Sequence, residues 1–383
     1  MLKQDLQRVM DASVAAGELA GVSMLLIKDG EEQCFLSSGY ADIETAKPIA
    51  RDSIFRLYSQ SKPITAAATM MMMERGLIDL WDEVSLYLPG FKNQQVLEGG
   101  NLVPAKRPVS IMDLLGMVAG VSYPAADTAG RFAEDLFLRQ QGMAYEDKWD
   151  TIAFCNEMGK LPLAFQPGTH FRYSTCADIL GAVIEVASGQ KYADFLRENI
   201  FEPLEMKDTA FYVPEEKRSR FVTCYERTRD GLIPFSGIHL DVGDYSRPPK
   251  FESGGAGLVS TLDDYSHFAA MLLNKGEWNG KRILQSATVD FMTKGQLDEI
   301  TLHSDMWDHL CGHNYGKLMR VCEHPGRSCY LAREGEYGWD GWLGTYFANF
   351  PTEQMTLLVM LNLKNAGTTH TVRKIRNVLL SQM

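Results

Sequence analysis

Ser59-Gln60-Ser61-Lys62 places a hydroxyl and an amine three residues apart, followed by Pro63 and an Ala- and Met-rich run to Arg75-Gly76. On a helix, residues at this spacing share a face, so the Lys62 amine reaches the Ser59 hydroxyl with no help from the rest of the fold. Proline is tolerated in the first turn of a helix, where its missing N–H leaves no bond unmade. Ser59 therefore falls at or just before a helix N-terminus, where free N–H groups and the positive dipole end favour a developing negative charge. A serine becomes a useful nucleophile when a neighbouring base takes its proton. A lysine drawn into a dry cleft has its pKa lowered, because burial disfavours the charged form. The chemistry open to this pair is covalent acyl transfer. The plain alternative is a helix-capping serine beside a solvated lysine.

Spacing alone does not select between copies. Ser188-Gly189-Gln190-Lys191 has the same pattern, but it follows the apolar run from Ile179 to Val186, with Gly189 where a helix would stop. That copy reads as a turn carrying a solvated lysine, one of the false positives that short motifs produce.

The elements that must position Ser59 and Lys62 form a strand-rich start and end around a helical middle. Gly21 to Asp29 reads as a buried strand, Gly30 as its turn and Gln33 to Tyr40 as the antiparallel partner. Helical patterns follow from Ser59 to Gly76, Val109 to Met117, Trp149 to Met158 and Tyr173 to Ala187, with Leu77 to Phe91 a capped loop. After about residue 205 the chain returns to loops and strands. Asp263 to Leu273 reads as a helix, and strand-like runs cover Tyr315 to Cys322, Tyr330 to Glu336, Gly344 to Phe350 and Met355 to Leu361. A last helix spans Thr368 to Leu380. Terminal strands pairing across a helical insertion predict an α+β fold: an antiparallel sheet flanked by helices, with an all-helical second lobe. The expected division is a discontinuous sheet domain, residues 1–58 and 205–383, and a mainly helical lobe, 59–204. Clefts between such lobes are where substrate sites form.

The 383-residue length suits one large domain or two interlocked ones. No run of 18 apolar residues occurs, so no membrane span is expected. The charged, amphipathic Met1 to Leu19 reads as a helix and not a secretory signal. The net charge of −11 argues against nucleic acid and anionic membranes as partners. Seven scattered cysteines without a Cys-x-x-Cys suit reduced thiols in a cytoplasmic protein. His309 and His313 are four apart but have no evident third ligand, so no metal and no cofactor are expected. The expected partner is a small-molecule ester or amide substrate. Oligomeric state has no sequence signal.

Three segments in order resemble the serine β-lactamase-like superfamily, which holds class C β-lactamases, DD-peptidases and family VIII esterases. They are Ser59-x-x-Lys62, Tyr173-Ser174-Thr175 after Gln166-Pro167-Gly168-Thr169-His170-Phe171-Arg172, and Gly338-Trp339-Asp340-Gly341-Trp342-Leu343-Gly344-Thr345. Weaker similarity in Leu77–Phe91, Phe201–Thr209 and Ser253–Thr261 extends it over nearly the whole chain. The resemblance implies catalytic Ser59, Lys62 and Tyr173, and an oxyanion hole made by the backbone N–H groups of Ser59 and Trp342. It also implies substrate contacts at Trp339, Asp340, Gly341 and Thr175.

Read as residues alone, Tyr173 could be an ordinary helix-start aromatic, Trp339 core, and Gly341 and Gly344 a bulge or close backbone packing. Whether Lys62 or Tyr173 takes the serine proton stays open, since a phenolate would be favoured beside an amine. The chain departs from the family pattern in three places: Thr175 replaces an asparagine, Trp339 replaces the lysine of Lys-Thr-Gly, and Met117 stands where some members keep a histidine. Without that lysine, neutral or aromatic acyl groups are expected, with esters first. β-Lactamase, DD-peptidase or D-aminopeptidase activity and a non-catalytic binding role are the alternatives. A carboxylate-bearing substrate would then need another cation, such as Arg172 or Lys317.

Overall fold

The computed structural model describes the backbone of residues 1–383 and every side chain except that of residue 300. Its frame is an eight-stranded antiparallel sheet. In spatial order the strands are His313–Gly316, Met319–Cys322, Tyr337–Asp340, Tyr346–Phe350, Met355–Leu361, Gly21–Lys28, Glu31–Asp42 and Lys47–Pro48. The first and last long strands pair directly, from Val22 opposite Leu361 to Lys28 opposite Met355. The chain ends therefore close the sheet around everything inserted between them.

Both faces of the sheet are covered, and the period of two in the strands assigns each side chain to a face. Leu357, Val359 and Leu361 join Met24 and Leu26 under the terminal helices Leu2–Ala15 and His370–Ser381. Leu358, Met360 and Leu25 face the other way, into the core that contains the helices Lys62–Glu74 and Leu262–Leu273. The Lys62–Glu74 helix is buried on all sides from Lys62 to Met72, as its Ala- and Met-rich run requires, since a helix apolar all round has no solvent face. It packs against Cys176–Ser188. Among the helices between residues 59 and 204 lies one small hairpin, Gln95–Glu98 with Asn101–Pro104.

Three local readings change. The run from Tyr315 to Cys322 is a hairpin and not one strand; Lys317 and Leu318 turn it with φ of 43° and 66°. Tyr330 to Glu336 is irregular. At Leu331 its backbone is held by the last helix, with Asn377 accepting from the Leu331 N–H and Arg376 donating to the Leu331 carbonyl; Gly335 and Glu336 bond to Cys322, and the regular strand begins at Tyr337. The helix expected from Tyr173 starts at Cys176, leaving Tyr173-Ser174-Thr175 as an extended lead-in. One helix, Thr128–Gly142, had no clear sequence signal. Glycines at both ends obscure its period, and Asp127 caps it by accepting from the Gly130 N–H.

Candidate active site

Ser59 is delivered by a strand that stops abruptly. Phe55–Arg56 pairs with Val259–Ser260, and the Leu57 N–H continues the ladder to the Leu258 carbonyl. Tyr58 then turns the chain with φ 45°, a left-handed conformation that is strained for a bulky residue. A single 3-10 turn, Tyr58–Ser61, runs into the α-helix at Lys62, with Pro63 in its first turn. Ser59 is half-buried at this junction. Ser61 is spent on structure, its hydroxyl accepting from the Leu258 N–H.

Lys62 is fully buried. Its Nζ lies 3.1 Å from Ser59 Oγ, 3.1 Å from Tyr123 Oη and 2.8 Å from the Gly255 carbonyl. Burial pushes its pKa down to about 7, against opposing pulls from Asp178, Cys176 and Asp340. The amine also sits over the Tyr173 ring, 4.6 Å from its centroid.

The glycine-rich segment explains how the amine is held. The Gly254 carbonyl accepts from Thr65, one turn along the helix, and the Gly255 carbonyl from Lys62. Buried Asp178 fixes that segment by accepting from Ser253 Oγ at 2.5 Å and the Gly255 N–H at 3.0 Å. A Cβ on residue 255 would stand 2.9 Å from Asp178 Oδ2 and 3.1 Å from Tyr123 Oη, so only glycine fits there.

Tyr173 makes a hydrogen bond with Ser59 and accepts one from Trp339 Nε1 at 2.9 Å. Its pKa is raised, because burial outweighs both hydrogen bonds. The phenolate expected beside an amine is therefore not favoured: desolvation opposes the charge on both groups, which keeps the phenol protonated and the amine readily neutral.

The third segment divides its residues between faces. Trp339, opposite Phe347, faces the site. Asp340, opposite Tyr346, faces the terminal helices, and its carboxylate accepts from the Thr368 hydroxyl. Gly341 is required by close approach, since a Cβ there would lie 2.2 Å from the Leu57 carbonyl. That contact brings Trp342 beside Tyr58, with ring centroids 5.0 Å apart. Among the described residues no carbonyl accepts from the Trp342 backbone N–H. Thr175 is not brought to the cleft group. It is buried and lines a small void beneath Thr128–Gly142.

The cations named in the sequence do not reach the group unpaired. Arg172 donates to Asp127 at 2.8 Å and lies 3.8 Å from Asp305. Lys317 lies over the Phe291 ring at 4.0 Å. The Ser188 copy of the motif ends a helix at left-handed Gly189, and Lys191 pairs with Glu185. Sequence reasoning missed Tyr123 and Trp307. Trp307 meets Tyr173 edge-on at 5.0 Å and extends the aromatic wall. An apolar groove of about 730 Å³ around Phe211 and Met206 contains none of Ser59, Lys62, Tyr123, Tyr173 and Trp339, so side-chain chemistry, not volume, locates the site.

A buried, readily deprotonated amine touching a reachable hydroxyl, with a protonated phenol on the same oxygen, can do proton-coupled acyl transfer. Comparison with known proteins gives the family. The Beta-lactamase family model matches residues 6–381. Esterase EstB of Burkholderia gladioli is 30% identical over 273 residues, covering 68% of this chain and 67% of that protein. A putative D-alanyl-D-alanine carboxypeptidase of Salmonella typhimurium is 27% identical, covering 89% and 78%. The solved structure of EstCE1, described as a hydrolase with promiscuous acyltransferase activity, superposes with a TM-score of 0.83 at 25% identity, covering 99% and 98%. The chain belongs to the beta-lactamase family and is an enzyme of its serine hydrolase class.

Proposed function

We propose that this member of the beta-lactamase family is a carboxylesterase that hydrolyses small neutral esters through an acyl-enzyme on Ser59. The site lies in the cleft between the sheet-bearing residues 1–58 and 205–383 and the mainly helical 59–204. The observation that carries the substrate class is the Trp339–Tyr173 hydrogen bond, together with Asp340 turned away onto Thr368. The wall that would meet a substrate carboxylate offers indole and phenol faces and, among the described residues, no free cation. A carboxylate there would lose its hydration with nothing to replace it.

In the reaction, Ser59 Oγ attacks the ester carbonyl carbon while neutral Lys62 accepts the hydroxyl proton. Tyr123 and the Gly255 carbonyl hold the amine in line. The carbonyl oxygen becomes an oxyanion facing the Ser59 and Trp342 backbone N–H groups; each such donor contributes about 3–4 kcal/mol when preorganised. When the C–O bond breaks, Tyr173 passes its proton to the departing alkoxide and recovers one from Lys62. Water then attacks the acyl-enzyme carbonyl, its proton going to Lys62; the Ser59 Oγ–acyl bond breaks, Lys62 returns that proton to Oγ, and the acid leaves with neutral Lys62 restored. The net change is ester plus water to carboxylic acid plus alcohol.

The esterase name of one relative supports this reading, and the carboxypeptidase name of another supports the alternative of amide or β-lactam cleavage in the same site. Side-by-side kcat/KM on p-nitrophenyl butyrate and a chromogenic cephalosporin decides between them. The ester should be turned over far faster. Comparable turnover of the cephalosporin overturns the neutral-ester reading.

A further inference from the structure

A tight turn at residues 239–242 rests on Tyr58, which leads into the oxyanion donor Ser59, and on Trp342, the other donor. The His239 N–H donates to the Val242 carbonyl at 2.9 Å, and the Val242 N–H returns to the His239 carbonyl at 3.0 Å. Between them Leu240 and Asp241 have φ of 56° and 55°. Two consecutive left-handed non-glycine residues persist only where surrounding contacts over-determine them, and three contacts do so here. The His239 imidazole lies nearly flat on the Trp342 indole, centroids 4.1 Å apart and planes 20° apart. The Tyr58 hydroxyl donates to the Val242 carbonyl at 3.4 Å. Buried Asp241 forms an ion pair with Lys148 from the helical lobe. Tyr58, itself left-handed, has its ring 6.0 Å from His239 and 5.0 Å from Trp342.

We propose that His239 is a positioning residue for the oxyanion hole: its ring, stacked on Trp342 and adjoining Tyr58, fixes the backbone from which the Trp342 and Ser59 N–H groups face the cleft. This rests on the reading of those two groups as the oxyanion donors of an acyl-enzyme mechanism. Phe235 meets the same indole edge-on at 5.8 Å, and the Trp342 Nε1 donates to Asn365 Oδ1 at 2.6 Å, so the indole is held at its edges and His239 covers a face. The imidazole acts by shape and not by charge. Burial, with Lys364 nearby, pushes its pKa down to about 4, and among the described residues no hydrogen bond joins it to Ser59 or Lys62. A transition-state donor works only when aimed at the oxyanion, and small misplacements carry large kinetic losses.

The test uses two ring-free variants, His239→Ala and His239→Gln, the ring-retaining His239→Phe, and Ser59→Ala, all as the full chain. Hydrolysis of p-nitrophenyl butyrate is resolved into kcat and KM, and thermal melts report folding. The ring-free variants should lose at least about tenfold in kcat, up to the roughly 10²–10³ range of a lost oxyanion donor, with KM changed less than about twofold. His239→Phe should recover kcat to within about threefold of wild type, as stacking without imidazole chemistry requires. Wild-type kcat in a folded ring-free variant overturns the proposal, as does a loss confined to KM. If neither ring-free variant folds, His239→Phe decides alone, and a kcat depressed about tenfold or more overturns it. Ser59→Ala separates the two levels: retained hydrolysis there defeats the acyl-enzyme reading and this proposal with it. An inactive Ser59→Ala beside fully active ring-free variants defeats this proposal only.

Discussion

The indole Nε1 of Trp339 donates to the Tyr173 hydroxyl at 2.9 Å, and that hydroxyl is also hydrogen-bonded to Ser59. One residue thus supplies an apolar wall and orients the phenol oxygen that faces the nucleophile. Replacing it with phenylalanine keeps the wall and removes the donor. Trp339→Phe should lower kcat on a nitrophenyl ester by about tenfold, on the scale of an unpaired hydrogen-bond partner at about 1–3 kcal/mol, with KM little changed. An equal loss from KM alone would place Trp339 in binding only.

Ser59 and Ser188 share a motif but not an environment. Ser59 adjoins a buried amine, whereas Lys191 beside Ser188 is half-exposed and paired with Glu185. Ser59→Ala should abolish covalent labelling by a fluorophosphonate probe, and Ser188→Ala should leave it intact. Mass spectrometry of the labelled peptide reads the outcome directly, and label on any other residue counts against Ser59.

Lys62 ties both activity and stability to pH, and both rise with it. Its pKa in the folded chain, about 7, lies below its ordinary 10.5. As the base it must be neutral, so kcat/KM should rise through an apparent pKa near 7 and level off above it. Between those two values the unfolded chain binds more protons, so the wild-type stability contribution of Lys62 rises with pH across that window, and its full penalty applies below the folded value. Lys62→Met removes the group. Its melting temperature relative to wild type should be most favourable below pH 7 and decline toward pH 10.5. A difference independent of pH would show that Lys62 is not buried uncharged.

Tyr123 and Tyr173 share the amine unequally. Tyr123 accepts from Lys62 at 3.1 Å, while Tyr173 meets Ser59 and lies under the amine. Tyr173→Phe should cost at least about a hundredfold in kcat, the scale of general acid–base catalysis. Tyr123→Phe should cost nearer tenfold, as a lost hydrogen bond does. Combined with Lys62→Ala, neither should add its full single effect, since the groups act as a unit. Reversed magnitudes would make Tyr123 the proton donor.

The frame of this site was legible because its signals are local. Pro63 fixed where the helix starts, and the apolar run after it required a buried helix. Paired terminal strands implied the antiparallel sheet. What stayed hidden depends on contacts distant in sequence. Tyr123 is 61 residues from Lys62, and Gly255 is 193 away; no periodicity records either. Asp340 could not be assigned to a face from its motif, because that needed the register placing it opposite Tyr346. Thr175 read as a cleft residue because it follows Tyr173 by two. The helix beginning at Cys176 instead turns it under a neighbouring helix. Tyr330 to Glu336 had strand-like composition, yet the Leu331 backbone found its partners on the last helix instead of on a neighbouring strand.

The sharpest test of substrate choice restores a cation at the wall. Trp339→Lys with Asp340→Thr rebuilds a Lys-Thr-Gly run on the Tyr337–Asp340 strand, with Gly341 unchanged. The new ammonium would take the place of the indole that now faces Tyr173, where a substrate carboxylate could meet it through a charge-assisted hydrogen bond. Ester turnover should fall, because Tyr173 loses the Trp339 donor and an added positive charge opposes protonation of Lys62 during the reaction. Cephalosporin turnover should fall less or rise, so the ratio of kcat/KM for p-nitrophenyl butyrate over the cephalosporin should drop by at least about tenfold, the size of a modest ion-pair gain. Asp340→Thr alone should leave that ratio near wild type, since its carboxylate is bound to Thr368 on the far face of the strand and reaches Lys62 only as a distant charge. A ratio unmoved in the double variant, with the protein folded and Ser59 still labelled, would mean that charge on this strand does not set the choice between neutral and anionic substrates.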